Sequence, residues 1–162
     1  MRTRLARWIS ISALLLTVPA LAGGNTGTVT EVLDSDLIRI GDSFVVHFTG
    51  ITAPAKSVKP GGEIYEFVKG ELEGELVKLF TWTTDNTAAG IVRDEEDRAF
   101  VQIYYGEDLS TSFNELLLEK GFARVDDEHL PEELAERYRK LERKAREEGL
   151  GIWKAKEPSN TE

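Results

Sequence analysis

The chain has 162 residues, with 20 Lys and Arg against 29 Asp and Glu, a formal charge of −9, and no Cys. That length accommodates one domain with a real core. Without cysteine no disulfide can form, so packing alone must hold the fold, and so negative a surface repels phosphate backbones at long range, which weighs against nucleic acid as a partner.

The N-terminus carries Arg2, Arg4 and Arg7, then an apolar run from Trp8 to about Leu21 that ends in Ala20-Leu21-Ala22. A basic start, a short apolar stretch and a small-x-small end are the layout of a secretory signal peptide. The run is short for a membrane span and is broken by Ser10, Ser12, Thr17 and Pro19. Residues 1–22 are therefore expected to be cleaved, leaving a periplasmic or secreted protein with no membrane span. The mature chain would hold 17 basic residues against 29 acidic, a charge of −12.

From Thr28 the pattern turns β-branched and roughly alternating. Thr28–Leu33, Leu37–Ile40 and Phe44–Ile51 read as three strands. The polar turns Asp34-Ser35-Asp36 and Gly41-Asp42-Ser43 join them into an antiparallel meander. Pro54 and Pro60-Gly61-Gly62 mark a loop. From Glu63, apolar Ile64, Phe67, Val68 and Leu72 recur at helical spacing, and Gly74 ends that helix. Leu76–Trp82 is a fourth strand, a polar stretch runs from Thr83 to Asp97, and Arg98–Tyr105 is a fifth strand. Ser112 and Glu115 stand at capping-box spacing at the start of a second helix, which Gly121 stops. A third helix runs from Pro131 to about Glu148, with Leu134, Tyr138, Leu141 and Ala145 as its buried stripe. Residues 154–162 are expected to be a polar tail.

Three strands, a helix, two more strands and two helices give an α+β chain in the order of a five-stranded Greek-key barrel, the OB-fold, with three α-helices. Val29, Leu33, Ile38, Ile40, Val46 and Phe48 are the expected inward-facing residues. The run Asp94-Glu95-Glu96-Asp97 lacks the alternating spacing and Gly of a calcium loop and reads as a solvated charged turn. His129 lies alone in an acidic loop and suggests no metal cluster.

Five segments carry a family resemblance. Asp34-Ser35-Asp36-Leu37-Ile38-Arg39-Ile40 is similar to an Asp-Gly-Asp-Thr hairpin followed by an apolar-basic-apolar strand. His47-Phe48-Thr49-Gly50-Ile51-Thr52-Ala53-Pro54-Ala55 is similar to a strand ending Arg-apolar-x-Gly-Ile-Asp-Ala-Pro-Glu. Asp94-Glu95-Glu96-Asp97-Arg98 is similar to Asp-x-x-Gly-Arg. Phe113–Ala123 is similar to Val-Asn-Glu-x-Leu-Val-x-x-Gly-Leu-Ala, and Gly149-Leu150-Gly151-Ile152-Trp153 to Gly-Leu-x-x-Trp. In this order, over about Thr28 to Trp153, they resemble the staphylococcal nuclease, or thermonuclease, family.

That resemblance implies phosphodiester hydrolysis with one calcium ion, held mainly by carboxylates. It also implies a carboxylate general base and two Arg that neutralise charge on the phosphate. Carried over by position, the first metal carboxylate is Asp36 and the second phosphate Arg is Arg98, with Arg93 a weaker candidate. The second metal carboxylate falls on Thr52, the general base on Ala55 and the first phosphate Arg on His47. Lys56 sits beside Ala55 and is expected to be solvated loop. Glu63 and Glu66 follow that loop and are not expected to replace the base. The expectation is an exported, catalytically inactive binding module. It would need no cofactor, and its partner would be an extracytoplasmic protein or small ligand. The alternative is a divergent nuclease that uses calcium. Asp36 and Arg98 also have ordinary readings, as a turn residue and as a partner of Asp94 or Asp97.

Overall fold

The computed structural model describes residues 25–81, 92–106, 109–128 and 130–154. The expected signal peptide, Trp82 with most of the polar stretch after it, His129 and all of the expected tail but Lys154 lie outside the described residues.

Five strands close a barrel. β1 (Asn25–Asp34), β2 (Leu37–Ile40) and β3 (Phe44–Phe48) form the antiparallel meander. After a short strand outside the ring, β4 (Ile51–Thr52), and α1 (Gly61–Leu72) come β5 (Leu76–Thr81) and β6 (Ala99–Tyr105). The order around the ring is β1-β2-β3-β6-β5, closed by antiparallel β1–β5 pairing. Only β3 and β6 run parallel, through Val46–Ala99, His47–Phe100 and Phe48–Val101. This is the five-stranded OB-type α+β barrel expected from the order of elements. Each of the five ring strands is paired on both sides, so the barrel itself has no open edge.

Two strand details depart from simple alternation. Register shifts in β1 lie between Val29 and Glu31 and between Val32 and Asp34. Each inserts an extra residue against β2 and turns the strand by one position. Val32 is therefore buried and Leu33 only half-buried, the reverse of the sequence expectation. The third strand also stops at Phe48, short of Ile51. Gly50 takes a left-handed φ of 74° and breaks the extended run. Ile51 and Thr52 leave the barrel instead and pair antiparallel with β7 (Arg124–Val125). Nothing in the sequence pattern signals this pair, because two-residue strands carry no periodicity.

α2 (Phe113–Glu119) packs on β6, and α3 (Glu132–Glu147) packs on α2 and β7. Phe113 meets Phe48 and Tyr105 edge-to-face, at centroid distances of 5.9 and 5.6 Å, and stacks on Phe67 at 6.1 Å. Such pairs add to simple area burial. The expected capping box is present: Ser112 Oγ accepts from the Glu115 N–H, and Glu115 Oε2 accepts from the Ser112 N–H at 2.7 Å. Glu115 is 1 % exposed, and Arg137 Nε lies 2.5 Å from its other oxygen, so this buried carboxylate is paired.

On α3 the buried positions are Ala135, Tyr138 and Ala145, with Leu134 and Leu141 half-buried against the core. Acids in its first turn and Lys144 and Arg146 in its last complement the helix dipole. Glu142 Oε1 accepts the Val125 N–H at 3.1 Å and ties β7 to this helix. The C-terminal turn Gly151–Trp153 returns to the body, where Gly121 O accepts the Ile152 N–H at 2.8 Å.

Candidate functional site

The β1–β2 turn and the loop after β4 are laced together. Asp34 Oδ1 accepts the Ser35 N–H at 2.8 Å and the Lys56 N–H at 2.7 Å. Asp36 Oδ2 accepts the Ala53 N–H at 3.0 Å, and the Asp36 carbonyl accepts the Phe48 N–H at 3.0 Å. Lys56 Nζ donates to the Leu33 carbonyl at 2.8 Å and lies over the Tyr65 ring. Ser35 Oγ donates to the Gly61 carbonyl at 3.2 Å. A Cβ at position 61 would collide with the Ala55 carbonyl, so glycine lets α1 start against the loop. Each polar residue of this turn is thus fitted to the backbone it faces. Lys56 is exposed in the loop, as expected, and its amine also bonds the strand end.

Asp36 carries a cost in this position. Burial pushes its carboxyl above the ordinary 3.8, against the Ala53 N–H and the positive His47, which favour the charged form. The folded chain then holds this proton more tightly than the unfolded chain. Stability from this group is fully present below pH 3.8 and is lost as pH rises through the raised folded value. Asn at this position can still accept the Ala53 N–H. Asp36→Asn is therefore expected to raise the melting temperature at neutral pH, with the gain shrinking as the pH falls through the raised folded value towards 3.8. A lower melting temperature at neutral pH would contradict this account of the carboxylate.

Across the parallel seam lies a second cluster. His47 on β3 stacks on Phe100 of β6, with centroids 5.4 Å apart. Its Nε2 is 3.1 Å from Asp94 Oδ2. Arg98 Nε donates to the same oxygen at 2.6 Å, and Arg98 Nη2 donates to Glu96 Oε2 at 2.7 Å. Asp94 Oδ1 accepts the backbone N–H groups of Glu96 and Arg98 at 3.0 and 2.9 Å. Burial works against the Asp94 charge, but the Arg98 N–H groups outweigh it and hold the carboxyl below its usual range.

The sequence-predicted residues therefore divide. His47 and Arg98 come together at one carboxylate, and the charge of His47 is felt at Asp36. Thr52 is exposed on β4, with its Cα paired to that of Arg124. Ala55 is exposed, and its carbonyl accepts the Val58 N–H. Arg98 lies just before β6 rather than opening it. Arg93, the weaker candidate, donates to the Asp97 carbonyl at 2.7 Å, and no contact places it at His47. Glu63 and Glu66 are exposed on α1. Among the described residues no group of three or more His, Cys, Asp or Glu is arranged to hold a metal ion.

One expectation needs correcting. The acidic run 94–97 is not uniformly solvated: the Asp94 side chain is 15 % exposed, against 65 % for Glu96 and 87 % for Asp97. An Asp four residues before an Arg, across a turn in which Asp97 takes a left-handed φ of 64°, is a fixed element of the site. The available signal was the pairing of Arg98 with Asp94. The sequence did not show that His47 would arrive at the same oxygen.

A closed OB-type barrel with α2 packed on β6, and a basic-acidic cluster across the β3–β6 seam, define a nuclease-type barrel domain. The family model described as staphylococcal nuclease homologue matches residues 45–155, and the chain belongs to that family. No curated protein matches the chain.

Proposed function

We propose that this chain is an exported staphylococcal nuclease-type barrel that binds a partner and does not hydrolyse phosphodiesters. The observation that carries this reading is the state of Asp36. It is the one family metal carboxylate kept, and its Oδ2 is engaged by the Ala53 N–H. The neighbouring Asp34 uses Oδ1 on two backbone N–H groups. Thr52 brings a neutral hydroxyl. A calcium ion takes six to eight oxygen ligands, several of them charged, and this donor set does not fit one.

The position of the general base supports the same reading, since the methyl of Ala55 accepts no proton. So does the strong net negative charge, which disfavours a polyanionic substrate. The partner is proposed to be a protein or small ligand outside the cytoplasm, and no cofactor is required.

The test is incubation of the chain from Gly23 onward with single-stranded DNA and excess calcium, beside an Arg98→Ala control. The expected result is no cleavage by either protein across metals and pH. Calcium-dependent cleavage that disappears in the Arg98→Ala control would overturn the proposal and favour the divergent nuclease.

A further inference from the structure

Three elements meet at the C-terminal turn. Arg124 comes from β7, Arg146 from the last turn of α3, and Trp153 from the turn Gly151–Trp153. The Arg124 guanidinium lies 4.7 Å from the centre of the Trp153 ring, and that of Arg146 lies 4.3 Å from it. Backbone contacts fix the turn that carries the indole. The Trp153 N–H donates to the Leu150 carbonyl at 2.8 Å, and a Cβ at Gly121 or Gly151, both at left-handed φ, would collide with the facing backbone. The ring is half-buried, whereas Arg124, Arg146 and the following Lys154 are exposed.

The cations here outnumber their partners. Among the described residues the side chains of Arg124 and Lys154 make no ion pair and no hydrogen bond. Arg146 reaches Glu142 at 3.6 Å, and Glu142 uses its other oxygen on the Val125 N–H. A cation over an exposed ring contributes about 0.5–1 kcal/mol. A second guanidinium on the same ring adds repulsion, since the two stand no more than about 9 Å apart. In a chain of net charge −9, Arg124 is thus held on an aromatic ring and away from every described carboxylate. Arg and Trp are the residues on which binding energy concentrates at interfaces, and clustered arginines recognise acidic motifs.

We propose that Arg124, Trp153 and Arg146 form a docking surface for a short acidic segment of a partner protein. This deepens the reading of a partner-binding barrel and rests on it. Charge complementarity selects the occupant. Carboxylates relieve the repulsion between the two guanidiniums, and the rigid indole gives the segment an apolar face to lie on. The chain's overall negative charge confines that attraction to this end of the molecule, so a long polyanion whose charge extends past the patch is repelled.

Fluorescein-labelled hexaglutamate is the probe, titrated into the whole protein. NMR follows the Nε–H groups of Arg124 and Arg146 and the Trp153 Nε1–H, which is buried without a partner among the described residues. The peptide should bind saturably, shift these three resonances and lose affinity as salt is added. Arg124→Gln should weaken it by roughly tenfold or more. Arg124→Lys, which keeps the charge, should weaken it less, and Lys78→Gln on β5 should leave it unchanged.

Amide spectra report whether each variant is folded. No saturable binding by the wild-type protein would overturn the proposal. So would shifts at other cations with Trp153 unmoved, or equal binding by folded Arg124→Gln. Single-stranded oligothymidylate that binds at the same resonances more tightly than the peptide would overturn it in favour of nucleic acid. Self-association that Arg124→Gln abolishes would overturn it in favour of a second copy of the chain. The cleavage assay keeps the two readings apart. Peptide binding with calcium-dependent cleavage defeats only the non-hydrolytic reading, and neither binding nor cleavage defeats only the docking surface.

Discussion

Replacing Asn114 by alanine should destabilise the barrel by about 3 kcal/mol, the cost of leaving two buried backbone groups without partners. Asn114 is fully buried at the start of α2. Its Oδ1 accepts the Ile103 N–H of β6 at 3.1 Å, and its Nδ2 donates to the carbonyls of Thr49 at 2.9 Å and Val101 at 3.1 Å. The Val101 carbonyl keeps the Thr49 N–H as a second partner. The Ile103 N–H and the Thr49 carbonyl have no such reserve among the described bonds. Urea unfolding should show a lower midpoint with an unchanged slope. The substitution Asn114→Asp keeps the acceptor, removes the donor and adds a buried charge. It should therefore cost at least as much as Asn114→Ala. A loss below about 1 kcal/mol for the alanine variant would mean that water replaces the amide, and the bridging role would be wrong.

Tyr138→Ala should cost about 4 kcal/mol, since it empties the largest fully buried side chain on α3. Its ring also fills the space beside Gly50, where a Cβ would meet both Tyr138 and Leu130. The hydroxyl accepts from Gln102 Nε2 at 3.0 Å and is in hydrogen-bond contact with Ser112, while burial pushes the phenol well above its ordinary range. Tyr138→Phe separates the two contributions. It keeps the ring and strands one buried amide, so about 1 to 2 kcal/mol is expected. Calorimetry on both variants should give that ranking, and equal losses would place the whole effect in the hydroxyl.

Most of the barrel was legible because its signals are local. The turns at Asp34-Ser35-Asp36 and Gly41-Asp42-Ser43, the helical spacing of Ile64, Val68 and Leu72, and the Ser112–Glu115 box all act within a few residues. The missed features are set by distant neighbours. Leu33 and Val32 exchange places because β1 bulges to follow β2. Ile51–Thr52 leaves the third strand because Arg124–Val125, some seventy residues later, offers it a partner.

The site divides in the same way. Identity alone could say what Thr52 and Ala55 lack, because an absent carboxylate needs no geometry. It could not give Asp94 its place, since a run of four acids reads as solvent-facing until a strand from elsewhere brings His47 beside it. Nor could it reveal Asn114 as the bridge between Thr49, Val101 and Ile103, which meet only once the ring is closed.

The parallel β3–β6 seam also imposes an order of assembly. A chain that emerges from its N-terminus can pair β1, β2 and β3 early, because those hairpins are short. The ring must wait for β6, about fifty residues further on. In the interval Val29, Ile38 and Val46 face water on a half-sheet with an open border, the state in which strands find the wrong neighbours. A chain stopped ahead of Ala99 would therefore be an adhesive fragment rather than a smaller barrel.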